Sequence, residues 1–338
     1  MNSTERVHAA LTGVVPDRVP IVEMVVDPKV ALALVPGAAD TADALDQLGL
    51  DSVNCGANFP RVWEDGDRFG DEWGVTYLAG PQVVSHPIAP AFTTREGFQR
   101  WTPPDPDAPY RLETLRDLVA RFKGRRALLF HHRAAFMHTC YLLGLDRVLE
   151  MFYTDPRFIH EVMDRVVEVN ERLIRNAVRA GAEVITLGDD YASNQGPLFS
   201  PAMFREFVLP RLQRVVDAIH EEGGLVIKHS DGQIWPLLED IVNTGADGLN
   251  PLEPVAGMDL GEVKAVYGDR LCLVGNIDCG ELLSNGAPAQ VEEAVRDAIA
   301  VGAPGGRYML SSSNSIHASV NPENFRTMIE AGRRYGAL

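Results

Sequence analysis

Cysteine and positive charge are both scarce in this 338-residue chain. Only Cys55, Cys140, Cys272 and Cys279 are present, and no two form a CxxC pair. That excludes a zinc ribbon and a thioredoxin-type motif, and leaves reduced, buried thiols as the expectation. Lysine and arginine number 31 against 47 aspartates and glutamates, a net charge of −16. Such a surface repels nucleic acid and anionic membranes, and it disfavours a polyanionic substrate unless arginines cluster locally. No run reaches the roughly 18 apolar residues of a membrane helix. No basic patch followed by an apolar block stands near Met1, so no signal peptide is read and a cytoplasmic location is expected. GxGxxG and P-loop motifs are also missing, as are low-complexity linkers and repeats of 20–50 residues. Residues 1–338 therefore read as one domain.

What is there is alternation. The stretch Val226-Ile227-Lys228-His229-Ser230-Asp231-Gly232 is a short apolar run that stops at an imidazole, a hydroxyl, a carboxylate and a glycine. A buried parallel strand opening into a reaction site has this form. Similar strands are predicted at 20–26, 52–55, 127–130, 183–187, 248–249, 271–274 and 308–310. Helical spacing separates the later ones, at 155–180, 201–222, 233–243, 259–267, 288–301 and 322–335. Consecutive βα units argue for a parallel sheet. Polar clusters follow nearly every strand, and a (β/α)8 TIM barrel brings all of them to one face. The irregular stretch 58–109, with a hairpin piece at 71–77, reads as an insert over the barrel mouth.

Several motifs in order carry a family likeness: His229-Ser230-Asp231-Gly232, Leu249-Asn250-Pro251-Leu252-Glu253-Pro254, Tyr267-Gly268-Asp269-Arg270-Leu271, Gly275-Asn276-Ile277-Asp278 and Ala303-Pro304-Gly305-Gly306-Arg307-Tyr308. The chain resembles the uroporphyrinogen decarboxylase superfamily, which joins porphyrinogen decarboxylases and cobalamin-linked methyltransferases on a (β/α)8 barrel. Two departures place it. Decarboxylases of the superfamily carry an arginine-rich segment after the first strand, whereas no arginine lies between Arg18 and Arg61 here. The thiol methyltransferases bind zinc through a His-x-Cys pair and a later cysteine. The corresponding residues here are His229-Ser230-Asp231 and Ser311-Ser312-Ser313. The resemblance thus implies the branch acting on methylated donors such as methoxy compounds. It also implies a corrinoid carried by a separate partner protein, a homodimer, and zinc as an optional ligand held by oxygen-rich residues: His229, Asp231 and Glu253.

Transfer of a methyl group from oxygen to reduced cobalt requires the oxygen to leave, which a proton donor or a Lewis acid assists. His229, Asp231, Asp190 and Glu23 are the residue types that could do so. Asn250, Glu253, Asn276, Asp278 and Asn314 are expected to orient the small methylated substrate, and Tyr191 and Trp235 to pack against it. Each has a structural alternative. His229 could be a hydrogen-bonded residue of the barrel mouth, Asp231 a helix cap and Glu23 half of an internal ion pair. Asp189 and Asp190 point opposite ways in extended backbone, so only one need face the site. His131, His132 and His138 cluster after the third strand, His317 follows the last, and Cys279 is a small residue or a ligand. Asp217-Ala218-Ile219-His220 only superficially matches the cobalt-ligating DxHxxG motif, its spacing being one residue too long, and is read as structural. The competing readings are a decarboxylase of a small carboxylate or porphyrinogen-type substrate, for which only Arg61 and Arg133 offer cations, and a non-catalytic binding barrel.

Overall fold

The computed structural model describes residues 1–80 and 85–338. Seven parallel strands follow one another in sequence order: β1 (Ser52–Gly56), β2 (Ala127–His132), β3 (Val184–Gly188), β4 (Leu225–His229), β5 (Gly248–Asn250), β6 (Cys272–Ile277) and β7 (Tyr308–Ser312). Residues 20–26 fill the eighth position. Ile21 pairs with Leu310 and Val26 with Ile316, both parallel, while the Asp51 amide donates to the Ile21 carbonyl on the other side. The protein is a (β/α)8 barrel.

The first strand is the least regular, for a local reason. Pro20 has no N–H to give, and the Ile21 N–H goes to the Asp51 carboxylate at 2.9 Å rather than to a neighbouring strand. Elsewhere the alternation of strand side chains builds two layers. Val22, Met24, Ala127, Leu129, Val184, Ile227, Cys272, Val274 and Met309 point inward and pack together. Val7, Ala10 and Leu11 of the helix Ser3–Thr12 join this inner cluster and plug one end of the barrel. The outward residues meet the surrounding helices. In the helix Pro156–Ala180, Phe158, Ile159, Val162, Met163, Val166 and Val167 repeat at helical spacing and are all buried. Asp155 caps its start and Gly181, in left-handed backbone, ends it.

Two expected helices are broken where proline intervenes. The 201–222 segment carries a wider π turn at Phe204–Val208 before Leu209–Glu221, because Pro210 has no N–H to offer the preceding turn. The 233–243 segment opens as a short 3₁₀ turn, Trp235–Leu237, around Pro236. Within the insert, Arg61–Asp65, Arg68–Asp71, Thr76–Leu78 and His86–Ala89 form an antiparallel sheet. It packs beside the barrel mouth through Trp73, whose ring lies 4.7 Å from that of His138, and Tyr77, 6.4 Å from Tyr141. Among the described residues no helix is long and apolar enough to cross a membrane.

Candidate active site

Strand ends place the site. His229 is the last residue of β4 and shares the inward parity of Ile227. Its Nδ1 lies 2.6 Å from Asn250 Oδ1 at the end of β5. Asn250 is buried, and its Nδ2 donates to the Val274 carbonyl at 3.1 Å. That bond identifies the atom facing His229 as oxygen, so Nδ1 carries the proton and donates it. Nε2 is then left to face the cavity, 3.5 Å from Asp231 Oδ1 and 3.6 Å from Asp190 Oδ1.

The two carboxylates come from different loops. Asp190 follows β3, and its Oδ1 also accepts the Asp231 amide at 3.2 Å. Asp231 Oδ2 accepts from Asn314 Nδ2 at 2.6 Å, beyond β7. Asp231 Oδ1 is buried and has no hydrogen-bond partner among the described residues. Burial pushes the Asp231 carboxyl up to about 6; His229 and Asn314 oppose the shift, and the charges of Asp190 and Glu253 add to it. One donor atom from each of Asp190, His229 and Asp231 lies within 4.8 Å of the others. One nitrogen and two oxygens, with an orphaned carboxylate oxygen among them, suit a borderline cation such as zinc. The Nδ1–H to Asn250 contact is the outer hydrogen bond that orients a ligating imidazole.

The cluster lies on the wall of a cavity of about 290 Å³, which Met24, His131, Arg133, Tyr141, Thr186 and Ser315 also line. His131 has a buried, unpartnered Nε2. Burial first, and then the nearby His229, hold its ring down at about 4, so it is neutral at pH 7. A second cavity of about 560 Å³ shares Val25, Asn314 and Ser315 with the first, and is lined further by Glu253, Asp278, Cys279 and His317.

Several expected residues lie elsewhere. Glu253 accepts from the Gly232 N–H at 2.9 Å and does not join the donor set, where Asp190 stands instead. Glu23 is fully buried, held by the Ser312 amide (2.9 Å) and the Ser312 (2.7 Å) and Ser311 (3.3 Å) hydroxyls, and does not reach the cavity wall. Those serines are therefore occupied away from His229. Tyr191 turns outward into an aromatic cluster with Phe136, Phe199 and Phe204, because odd positions after β3 face the helices. Trp235 lies against Tyr267, outside both cavities. Asn276 donates to the Leu252 carbonyl at 3.2 Å. Asp278 caps the turn at Gly280, Glu281 and Leu282 and lines the 560 Å³ cavity but not the one that holds His229. His132 and His138 both meet Asn170; His138 lies outside both cavities, while His132 still lines the smaller one. His220 pairs with Asp247 on the outer helix layer, a structural role.

Sequence reasoning passed over the polar layer behind the site. Lys228, buried and facing outward, donates to the carbonyls of Leu187 and Asp189 at 3.2 and 2.8 Å. The Asp189 carboxylate receives the amides of Ala135, Phe136 and Met137, which open the helix Phe136–Leu143. The adjacent acid pair was the available signal, since one of its members had to point away from the cavity.

The family model described as uroporphyrinogen decarboxylase (URO-D) matches residues 70–335. The chain belongs to the uroporphyrinogen decarboxylase family. The family's enzyme of Pseudoalteromonas atlantica is 24% identical over 271 residues, 76% of this chain and 72% of that one. The uroporphyrinogen decarboxylase of Geobacter metallireducens is 28% identical over 242 residues, covering 68% and 67%. In structure, a methyltransferase from Methanosarcina mazei aligns over 99% of both chains with a TM-score of 0.79 at 20% identity, so this family member shares its fold end to end.

Proposed function

We propose that this family member is a methyltransferase component that moves a methyl group from a small methoxylated substrate to a corrinoid carried by a separate protein. One observation carries the reading. Among the described residues, Arg133 is the only arginine or lysine on the walls of the two cavities, which otherwise present Asp190, Asp231, Glu253, Asp278 and Glu281. A porphyrinogen bearing eight carboxylates would meet five acids and a single arginine there, with no other arginine or lysine to match its charge. A small substrate with a weakly basic oxygen would not.

In this reaction the methyl–oxygen bond breaks, a methyl–cobalt bond forms, and the oxygen departs with a proton as an alcohol or phenol. The partner's reduced cobalt supplies the nucleophilic electron pair. The barrel's task is to hold the ether and assist its oxygen. A divalent cation on His229, Asp231 and Asp190 would supply Lewis-acid polarisation of that oxygen. In a metal-free enzyme, the doubly protonated His229 ring would hand over the Nε2 proton beside Asp190 and Asp231, with the Nδ1–H bond to Asn250 fixing the ring. Asn314 holds Asp231 beside it. Metal analysis of the purified protein decides between these two modes of assistance.

The test mixes the protein with a reduced corrinoid protein and a methoxylated aromatic, and follows the change from the cobalt(I) to the methyl-cobalt(III) spectrum. His229→Ala should slow that change by at least ~100-fold. Unchanged turnover removes His229 from the chemistry. Release of carbon dioxide from uroporphyrinogen, at a rate abolished by the same substitution, would establish the decarboxylase reading instead.

A further inference from the structure

Buried arginines in this barrel are paired. Arg111 meets Glu72 through two bonds of 2.7 and 2.8 Å, Arg6 meets Asp17 and Asp51, and Arg211 meets Asp164. Arg133, half-buried, departs from the pattern. Its Nε is buried without a hydrogen-bond partner, and none of its nitrogens lies within 4.0 Å of a carboxylate among the described residues. The undescribed positions 81–84 contain no acidic residue. Its one side-chain bond is a 3.3 Å contact from Nη2 to the Tyr141 hydroxyl, with the guanidinium 5.2 Å from that ring's centre. The carboxylates of Asp189 and Asp190 act on this half-buried guanidinium without touching it, so its donors stay open to an anion that reaches it directly.

Its surroundings are rigid. Arg133 follows β2 directly, on the inward parity of His131, and lines the same 290 Å³ cavity as His229. Three residues on, the helix bearing Tyr141 is fixed by the three amide bonds to Asp189. The guanidinium thus has one contact on an anchored helix and, among the described residues, its remaining donors free, and such a fork matches a carboxylate through two parallel bonds. The cavity is at the small end of ligand sites.

We infer that the small substrate carries a carboxylate, which docks on Arg133 while its methyl-bearing oxygen lies at His229. The inference rests on the methyl-transfer reading only for what occupies the His229 end. The Arg133 end selects small organic acids over their neutral analogues, and it reconciles a strongly acidic protein with an anionic substrate by matching one charge with one arginine. Among the described residues the walls carry no second arginine or lysine for another carboxylate.

Binding is measured by calorimetry, without corrinoid protein, for four probes: methoxyacetate, 3-methoxybenzoate and the amide of each. At least one acid should bind wild-type protein about 30-fold or more tightly than its amide. That comparison needs no variant. Arg133→Gln should abolish the preference, and Arg133→Lys should restore part of it by returning the charge without the fork. Acid and amide binding equally to wild type would overturn the inference, as would a preference that survives in Arg133→Gln. Failure of methyl transfer with the acid preference intact would count against the reaction and leave the carboxylate site standing.

Discussion

At the scale of single residues, His229 shows how one hydrogen bond decides what an atom can do. Asn250 Oδ1 accepts the hydrogen bond from Nδ1–H, and Nε2 is left toward Asp190 and Asp231. The donor set makes an expectation that separates two glutamate-like neighbours. Asp190→Asn and Asn250→Ala should each lower zinc affinity by about 10–100-fold in competition with a chelating dye, since one removes a ligand and the other its orienting bond. Glu253→Gln should leave it unchanged, because that carboxylate is spent on the Gly232 amide; an equal loss would put Glu253 back among the ligands. Glu23 supports a prediction about pH. Burial, opposed by bonds from Ser312 and Ser311, raises its carboxyl to about 8. The folded protein holds this proton up to about pH 8, while the unfolded chain releases it near its ordinary value of 4.5. The stabilisation is therefore complete below 4.5, declines in between and is gone above 8. Glu23→Gln should melt close to wild type at pH 5 and be more stable at pH 9, by an amount on the order of a few kcal/mol. A gap that stays constant across this range rejects it. His229, Asp231, Asp190 and Asn314 were legible from the sequence because each stands at a strand end with a polar side chain. In the sequence Arg133 stands out only as one of two cations for a decarboxylase, because its lack of an ion-pair partner is a property of distances that no spacing reveals.

Elements show the same division between local and distant causes. Strand positions emerged from apolar runs to within a few residues, because a strand buried on both faces has little choice of composition. The helix starts at Asp155 and Asn321 carried their capping side chains in plain view. What could not be read was the partner of each irregular piece. The insert had no period to follow, and its seat beside the mouth depends on contacts across dozens of residues. Arg111 is the clearest of these: 1% exposed, it meets Glu72 across 39 positions. Glu72→Ala would leave that guanidinium buried and uncompensated, at a cost of about 3–5 kcal/mol. We expect the insert to open first, seen as a loss of protease resistance within residues 58–111 at temperatures where the barrel still resists. Cleavage indistinguishable from wild type would show that aromatic packing by Trp73 and Tyr77 holds the insert alone.

For the whole molecule the governing problem is closure. Seven strands hydrogen-bond in sequence, but the ring is completed by a segment that pairs poorly, residues 20–26. Side chains take over where the ladder fails. Asp51, fully buried, accepts from Arg6 (2.8 Å), from Arg18 (2.9 Å) and from the Ile21 amide (2.9 Å). Arg6 belongs to the helix that plugs the barrel's end, so one carboxylate joins the plug, the irregular strand and β1. Two cations against one buried anion also make this junction intolerant of losing the anion. Asp51→Ala leaves the half-exposed Asp17 as the one carboxylate on Arg6 among the described residues and removes the acceptor of the Ile21 amide. Breaking such a junction costs about 3–5 kcal/mol, which for a domain of this size lowers the melting temperature by about 4–7 °C. Asp51→Asn keeps an acceptor for Ile21 while losing the charge, and should fall between Asp51→Ala and wild type. If both variants melt with wild type, the ring is held by the apolar layer of Val22, Met24 and Met309 rather than by this carboxylate.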